Sequence, residues 1–302
     1  MADQRIFEHS RQLFLSAREA LRPILPKRLL GDMPLVPVVR LSGVIGLSTP
    51  LKPGLTLANV ARPLERAFGM RKARAIALLI NSPGGSPVQS HLIYRRIRQL
   101  AAEKNVRVIA FAEDVAASGG YMIACAADEI ICDSSSIVGS IGVVGGSFGF
   151  AKLMDKLGIE RRLYTSGEHK AMLDPFLPEN SEDVDRLKAV QHEIHEGFIE
   201  LVKQSRGARL KGPEQTLFSG EYWTGSTAVA LGLADGIGDL RSVMRERFGE
   251  DVATPLISPP RSWLGRPQAG VVLLQQLSQQ NGFAQEMISA LEERAIWSRY
   301  GL

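Results

Sequence analysis

A chain of 302 residues is long enough to bury one large core, or a main domain with appendages. Its 45% hydrophobic and 23% charged composition is that of a soluble globular protein, and 6% aromatic residues argue against a base-stacking surface. The 36 basic and 32 acidic residues leave a charge of +4 spread along the chain rather than gathered in a stripe, so no nucleic-acid partner is expected.

Residues 5–22 set Ile6, Phe7, Leu13, Phe14, Ala17, Ala20 and Leu21 at helical spacing, with Arg5, Arg11, Arg18 and Arg22 outside that set and Pro23 and Pro26 ending the pattern. The segment 1–33 therefore reads as an amphipathic helix docked on its own domain or on a partner subunit. A peripheral membrane contact through residues 1–30 is the alternative, and Glu8 and Glu19 dilute the basic face it needs. The start of the chain lacks the apolar region of a secretory leader, and no stretch reaches the ~18 apolar residues of a membrane span. A cytoplasmic location is expected, with room for contact at the inner membrane face.

From Pro34 short apolar runs alternate with helical patterns. Strands are read at 36–41, 75–80, 106–112, 129–132 and 136–143, and helices at 57–68, 88–102, from near Ser118, and at 150–157, the last leading into Arg-Arg-Leu-Tyr-Thr at 161–165. Unbroken apolar runs mean strands covered on both faces, hence an α/β domain with a mainly parallel sheet over 34–254. A longer helix spans 182–206, with Val184, Leu187, Val190, Ile194, Phe198, Ile199 and Val202 on one face. Residues 255–302 change character: a proline-rich linker, then a helix over 271–296. The two cysteines, Cys125 and Cys132, lie in apolar settings and read as buried thiols.

Three stretches carry candidate chemistry. Asn-Ser-Pro-Gly-Gly-Ser at 81–86 follows a buried strand, and its paired glycines, Gly84 and Gly85, let backbone N–H groups point at a ligand oxygen; a plain strand-to-helix turn is the competing reading. Ser118, in Ala-Ala-Ser-Gly-Gly-Tyr, stands between a strand and a helix start. Such a serine is commonly a helix cap, but Ala116, Ala117, Gly119 and Gly120 leave its hydroxyl open to a substrate. Lys170, in Ser-Gly-Glu-His-Lys-Ala-Met, is either a solvated charge or a base, and a base must be held neutral by an apolar site. His169, His192 and His195 compete for that role. The three-residue spacing of His192 and His195 suggests metal ligation only superficially, because no second ligand cluster accompanies them, so no metal is expected.

These motifs in this order, with Val-Gly-Ser-Ile-Gly-Val around Ser140 and Gly-Leu-Ala-Asp-Gly-Ile-Gly around Asp235, resemble the signal peptide peptidase A family of serine/lysine peptidases over residues 35–245. The resemblance implies a Clp-protease/crotonase-like α/β fold. It also implies Ser118 as nucleophile, Lys170 as general base, Ser140 as the hydroxyl orienting the lysine, and an oxyanion hole around Gly84, Gly85 and Gly119. A ring-like homo-oligomer, in which serine and lysine can come from neighbouring subunits, follows from the same resemblance. The related Clp subunit uses a histidine about two dozen residues after its serine, and no histidine lies between Ser118 and His169 here. Family members typically carry an N-terminal membrane anchor, and none is expected here. The expectation is a cofactor-free serine endopeptidase of unfolded or short hydrophobic peptides. A crotonase-type acyl-CoA enzyme and a non-catalytic membrane-surface scaffold are the alternatives.

Overall fold

A computed structural model describes residues 33–47, 54–257 and 294–301. The helix read at 5–22 and most of the one read at 271–296 lie outside them. Within them the chain runs β1 (Val38–Ser42), α1 (Leu57–Phe68), β2 (Ile76–Ser82), α2 (Pro87–Lys104), β3 (Val108–Ala117), α3 (Gly119–Ala124), β4 (Glu129–Cys132), β5 (Ile137–Gly139), α4 (Ala151–Lys156), α5 (Ser181–Arg206), α6 (Glu214–Leu217), β6 (Tyr222–Thr224), α7 (Gly225–Ala230), β7 (Gly236–Ile237) and α8 (Leu240–Phe248). The sheet order is β1-β2-β3-β4-β7, all parallel, with β5 parallel to the far end of β3 and β6 antiparallel to β5. The expected mainly parallel α/β architecture is what the chain adopts. Residues 253–257 stay bonded to the sheet edge, where Ile257 N donates to Val38 O at 2.8 Å.

Two apolar layers sandwich the sheet. Leu41, Ile76, Leu78, Ile80, Ile93, Ile97, Tyr121, Ile123 and Ile130 are among the residues buried beneath α1, α2 and α3, while Val36, Val38, Ile109, Phe111 and Ile131 pack against Val243 and Met244 of α8. Burial on both sides explains why the central strands read as unbroken apolar runs.

β3 runs five residues past the strand expected at 106–112, because a bulge absorbs Glu113 and Asp114. The register with β2 passes from Ile80↔Ala112 to Ser82↔Ala116. Asn81 fills the gap, accepting from Val115 N at 3.3 Å and donating to Asp114 Oδ2 at 2.6 Å. Ser136 Oγ closes the other side by donating to Glu113 O at 2.6 Å. The swing lets the end of β3 leave β4 and pair with β5, which brings Ser118 beside Gly139 and Ser140. The run read as a strand over 136–143 is regular only at 137–139, and 161–165 has no regular structure.

Behind that corner lies an ion pair that the sequence reading missed. Arg206, at the end of α5, is 1% exposed; its two terminal nitrogens each donate to a different oxygen of Asp235 at 2.8 Å, and its Nε donates to Gly232 O at 2.9 Å. Asp235 also accepts from Ile130 N at 2.7 Å, which ties α5 and the turn before β7 to the start of β4. Burial acts to raise the Asp235 pKa, but hydrogen bonds from Arg206 and Ile130 N, with the charges of Arg206 and Arg209, hold it below the usual carboxylate range. Burial also pushes the Cys125 thiol up to about 12 and Cys132 to about 11, which makes both poor nucleophiles.

Candidate active site

Ser118 occupies the position before the first residue of α3, where a serine ordinarily caps the helix, yet its hydroxyl makes no capping bond. Its backbone sits at φ 52, ψ −121, a conformation that costs a non-glycine residue of order 1–3 kcal/mol. The corner is held on both sides: Ser118 N donates to Gly139 O at 2.8 Å, and Met122 N donates back to Ser118 O at 2.9 Å. The half-buried side chain faces a groove of roughly 780 Å³ that Ser140, Gly85, Pro87, Val143, Val144 and Tyr222 also line.

The two glycines after β2 have different tasks. Gly84 is buried against the serine: a Cβ there would lie 2.8 Å from Ser118 Cβ, and its N–H is taken by the buried Ser82 Oγ at 3.2 Å. Gly85 is exposed, at φ 138, and a Cβ on it would meet Ile45 O at 2.1 Å, so no other residue fits. Ile45 pairs through Gly84 O and Ser86 N, which turns the Gly85 N–H away from Ile45. That N–H has no acceptor among the described residues. Gly119, as the first residue of α3, likewise has no acceptor within its helix. Two backbone donors thus lie next to Ser118, Gly119 following it in the chain and Gly85 lining the same groove.

Ser140 adopts φ 54 and lines the same groove. Lys170 stands apart from it. No lysine or carboxylate is among the residues lining the groove, and Lys170 lies in an exposed turn, its N–H on Gly167 O at 3.3 Å. That turn belongs to a stretch in which no residue from 142 to 197 is buried, although Phe148 is 81% and Tyr164 89% exposed. Internal contacts still order it: Phe150 stacks on Phe176 at 5.5 Å, and Arg161 pairs with Asp174. The apolar face read on α5 is likewise half-open, with Val190 52% and Ile194 38% exposed and burial beginning only at Phe198.

Two further groups reach the groove. His195, half-buried on α5, bonds Ile141 O through Nε2 at 3.0 Å, whereas His192 is exposed. Residues 294–301 supply Ile296, Arg299 and Tyr300, and the Tyr300 hydroxyl lies 3.4 Å from Ser140 Oγ and 3.3 Å from Pro83 O. Among the described residues no group of three His, Cys, Asp or Glu side chains could hold a metal ion.

Residues 100–249 match the model of peptidase family S49. Over 221 residues the chain is 33% identical to the serine protease SPPA, chloroplastic, of Arabidopsis thaliana, covering 70% of this chain and 32% of that protein. The chain belongs to peptidase family S49, the signal peptide peptidase A family. A probable protease SohB of Buchnera aphidicola (from Schizaphis graminum) is 33% identical over 214 residues, 68% of this S49 chain and 56% of that protein. A Brucella abortus protein named Na(+)/H(+) antiporter NhaA is 53% identical over 289 residues, 93% of this chain and 39% of that protein. The chain therefore spans well under half of that relative, and the antiporter name stays with it. Among the described residues no helix is long and apolar enough to cross a membrane. A solved mutant of the 1510-N membrane-bound stomatin-specific protease aligns with 75% of this chain and 93% of its own, at a TM-score of 0.42 and 15% identity.

Proposed function

We propose that the chain is a serine endopeptidase acting on unfolded or short hydrophobic peptides, with Ser118 as nucleophile and Lys170 as general base. The observation that carries the reading is Ser118 itself: a strained backbone and a hydroxyl that caps nothing, in the groove that Gly85 lines and followed by Gly119, both with N–H groups that have no acceptor among the described residues. Lys170 takes the Ser118 proton as Oγ attacks the scissile carbonyl, and the two N–H groups stabilise the resulting oxyanion. The lysine then hands that proton to the leaving amine. Water, deprotonated by the same lysine, releases the acyl group and regenerates Ser118. Gly84 contributes close approach rather than a donor, and Ser140 orients the lysine.

Among the described residues the groove is lined by no lysine or carboxylate of its own chain, while Lys170 rides on an exposed, apolar-rich arm. We therefore assign the lysine to a neighbouring copy: packing that arm against a second subunit would bury its apolar side chains and surround the ammonium with apolar surface, which favours its neutral form. A fluorophosphonate that phosphonylates activated serines tests the site. Intact-mass analysis should find one adduct on the wild type and none on Ser118→Ala, with labelling of Lys170→Ala slowed at least about 100-fold. A folded wild type that takes no adduct would sink the peptidase reading.

A further inference from the structure

After Ser140 the chain passes along the groove without regular structure. Gly142, Val143 and Val144 line it, and their N–H groups donate to no acceptor among the described residues. A backbone edge with free donors beside a nucleophile is what an added peptide strand pairs with. Such an edge guides a substrate only if something holds it at a fixed distance from Ser118. The buried Ile141 side chain anchors its start. The other restraint comes from α5, where Gln191 and His195 stand one turn apart on one face. The Gln191 amide lies so near Gly145 that a Cβ there would come within 2.7 Å of it, and His195 Nε2 is 3.0 Å from Ile141 O. Phe198, Leu201 and Val202 bury the following turns of α5 in the core, so the helix is a rigid support.

A carbonyl oxygen only accepts, so His195 carries a proton on Nε2 and donates it to Ile141 O. The nitrogen reaching the groove wall is thereby committed and cannot accept the serine proton. We infer that His195 is a positioning residue: it holds the Ile141–Val144 edge at the register in which an extended peptide meets Ser118, and it takes no part in proton transfer. This rests on the peptidase reading above.

The test compares wild type, His195→Ala, His195→Gln and His195→Asn in two assays: labelling by a small ethyl fluorophosphonate, which does not reach the edge, and cleavage of a quenched-fluorescent apolar decapeptide, which spans it. Losing the bond should raise the decapeptide KM about three- to tenfold in the alanine variant, the worth of one hydrogen bond, while labelling changes less than about twofold. Glutamine, whose amide nitrogen reaches the Nε2 position, should restore KM. Asparagine stops at the Nδ1 position and should behave as alanine, which keeps the comparison open should the alanine variant fail to fold. Unchanged KM in the alanine and asparagine variants, or a defect that glutamine leaves uncorrected, overturns the proposal. So does loss of labelling in His195→Gln, which would make the ring a proton-transfer group. Failure of the peptidase reading is a separate result: no labelling of the wild type.

Discussion

At the scale of the residue, Ser118 combines two features that stability alone does not select. It sits where a serine would cap α3 but does not cap it, and it holds a backbone conformation that favours glycine. Ser118→Gly should therefore be at least as stable as the wild type in equilibrium denaturation, by up to about 1 kcal/mol, while hydrolysing nothing. A variant clearly less stable than wild type would mean that the hydroxyl has a structural partner. The sequence presented cap and nucleophile as rivals at this position, because both need a serine between strand and helix. Only the torsion angles and the unused hydroxyl separate them. Gly84 and Gly85 were legible together as a donor loop, but which N–H stays free depends on Ser82 and Ile45, and Ile45 lies far away in sequence.

Elements of the fold were legible where local pattern and burial agree. The helix over 57–68 and the strand over 129–132 fall where their apolar spacing predicts, since each meets the core along its whole length. The bulge in β3 escaped because Glu113 and Asp114 read as a strand end, whereas Asn81 and Ser136 satisfy the backbone there. The Arg206–Asp235 pair escaped because a lysine- and arginine-bearing helix end reads as solvated. Removing one partner of a buried pair leaves the other charge unpaired, so Asp235→Asn should cost about 3–5 kcal/mol at pH 7 in denaturant unfolding. The folded pKa of Asp235 lies below its unfolded value. Its stabilising contribution is thus complete above the ordinary carboxylate range and is lost as pH falls through the folded value. The gap between wild type and Asp235→Asn should narrow on acidification below about pH 4. A gap that widened there would contradict the pairing.

For the whole molecule, the two halves of the proposed dyad sit in different settings: Ser118 on a rigid corner of the sheet, Lys170 on a stretch in which nothing from 142 to 197 is buried. The sequence placed Val184, Leu187, Val190 and Ile194 on one helix face, and amphipathic spacing tells which face is covered but not by which molecule. In the proposed shared site the proximity of Ser118 and Lys170 would belong to an assembly, which the pattern of one chain does not encode. The most direct measurement mixes two inactive variants, Ser118→Ala and Lys170→Ala, after dissociating and reassembling them together. If each site joins a serine from one copy to a lysine from the next, random reassembly at equal ratio should restore about a quarter of wild-type decapeptide hydrolysis. A mixture that assembles normally yet stays as inactive as its two components would contradict the shared site.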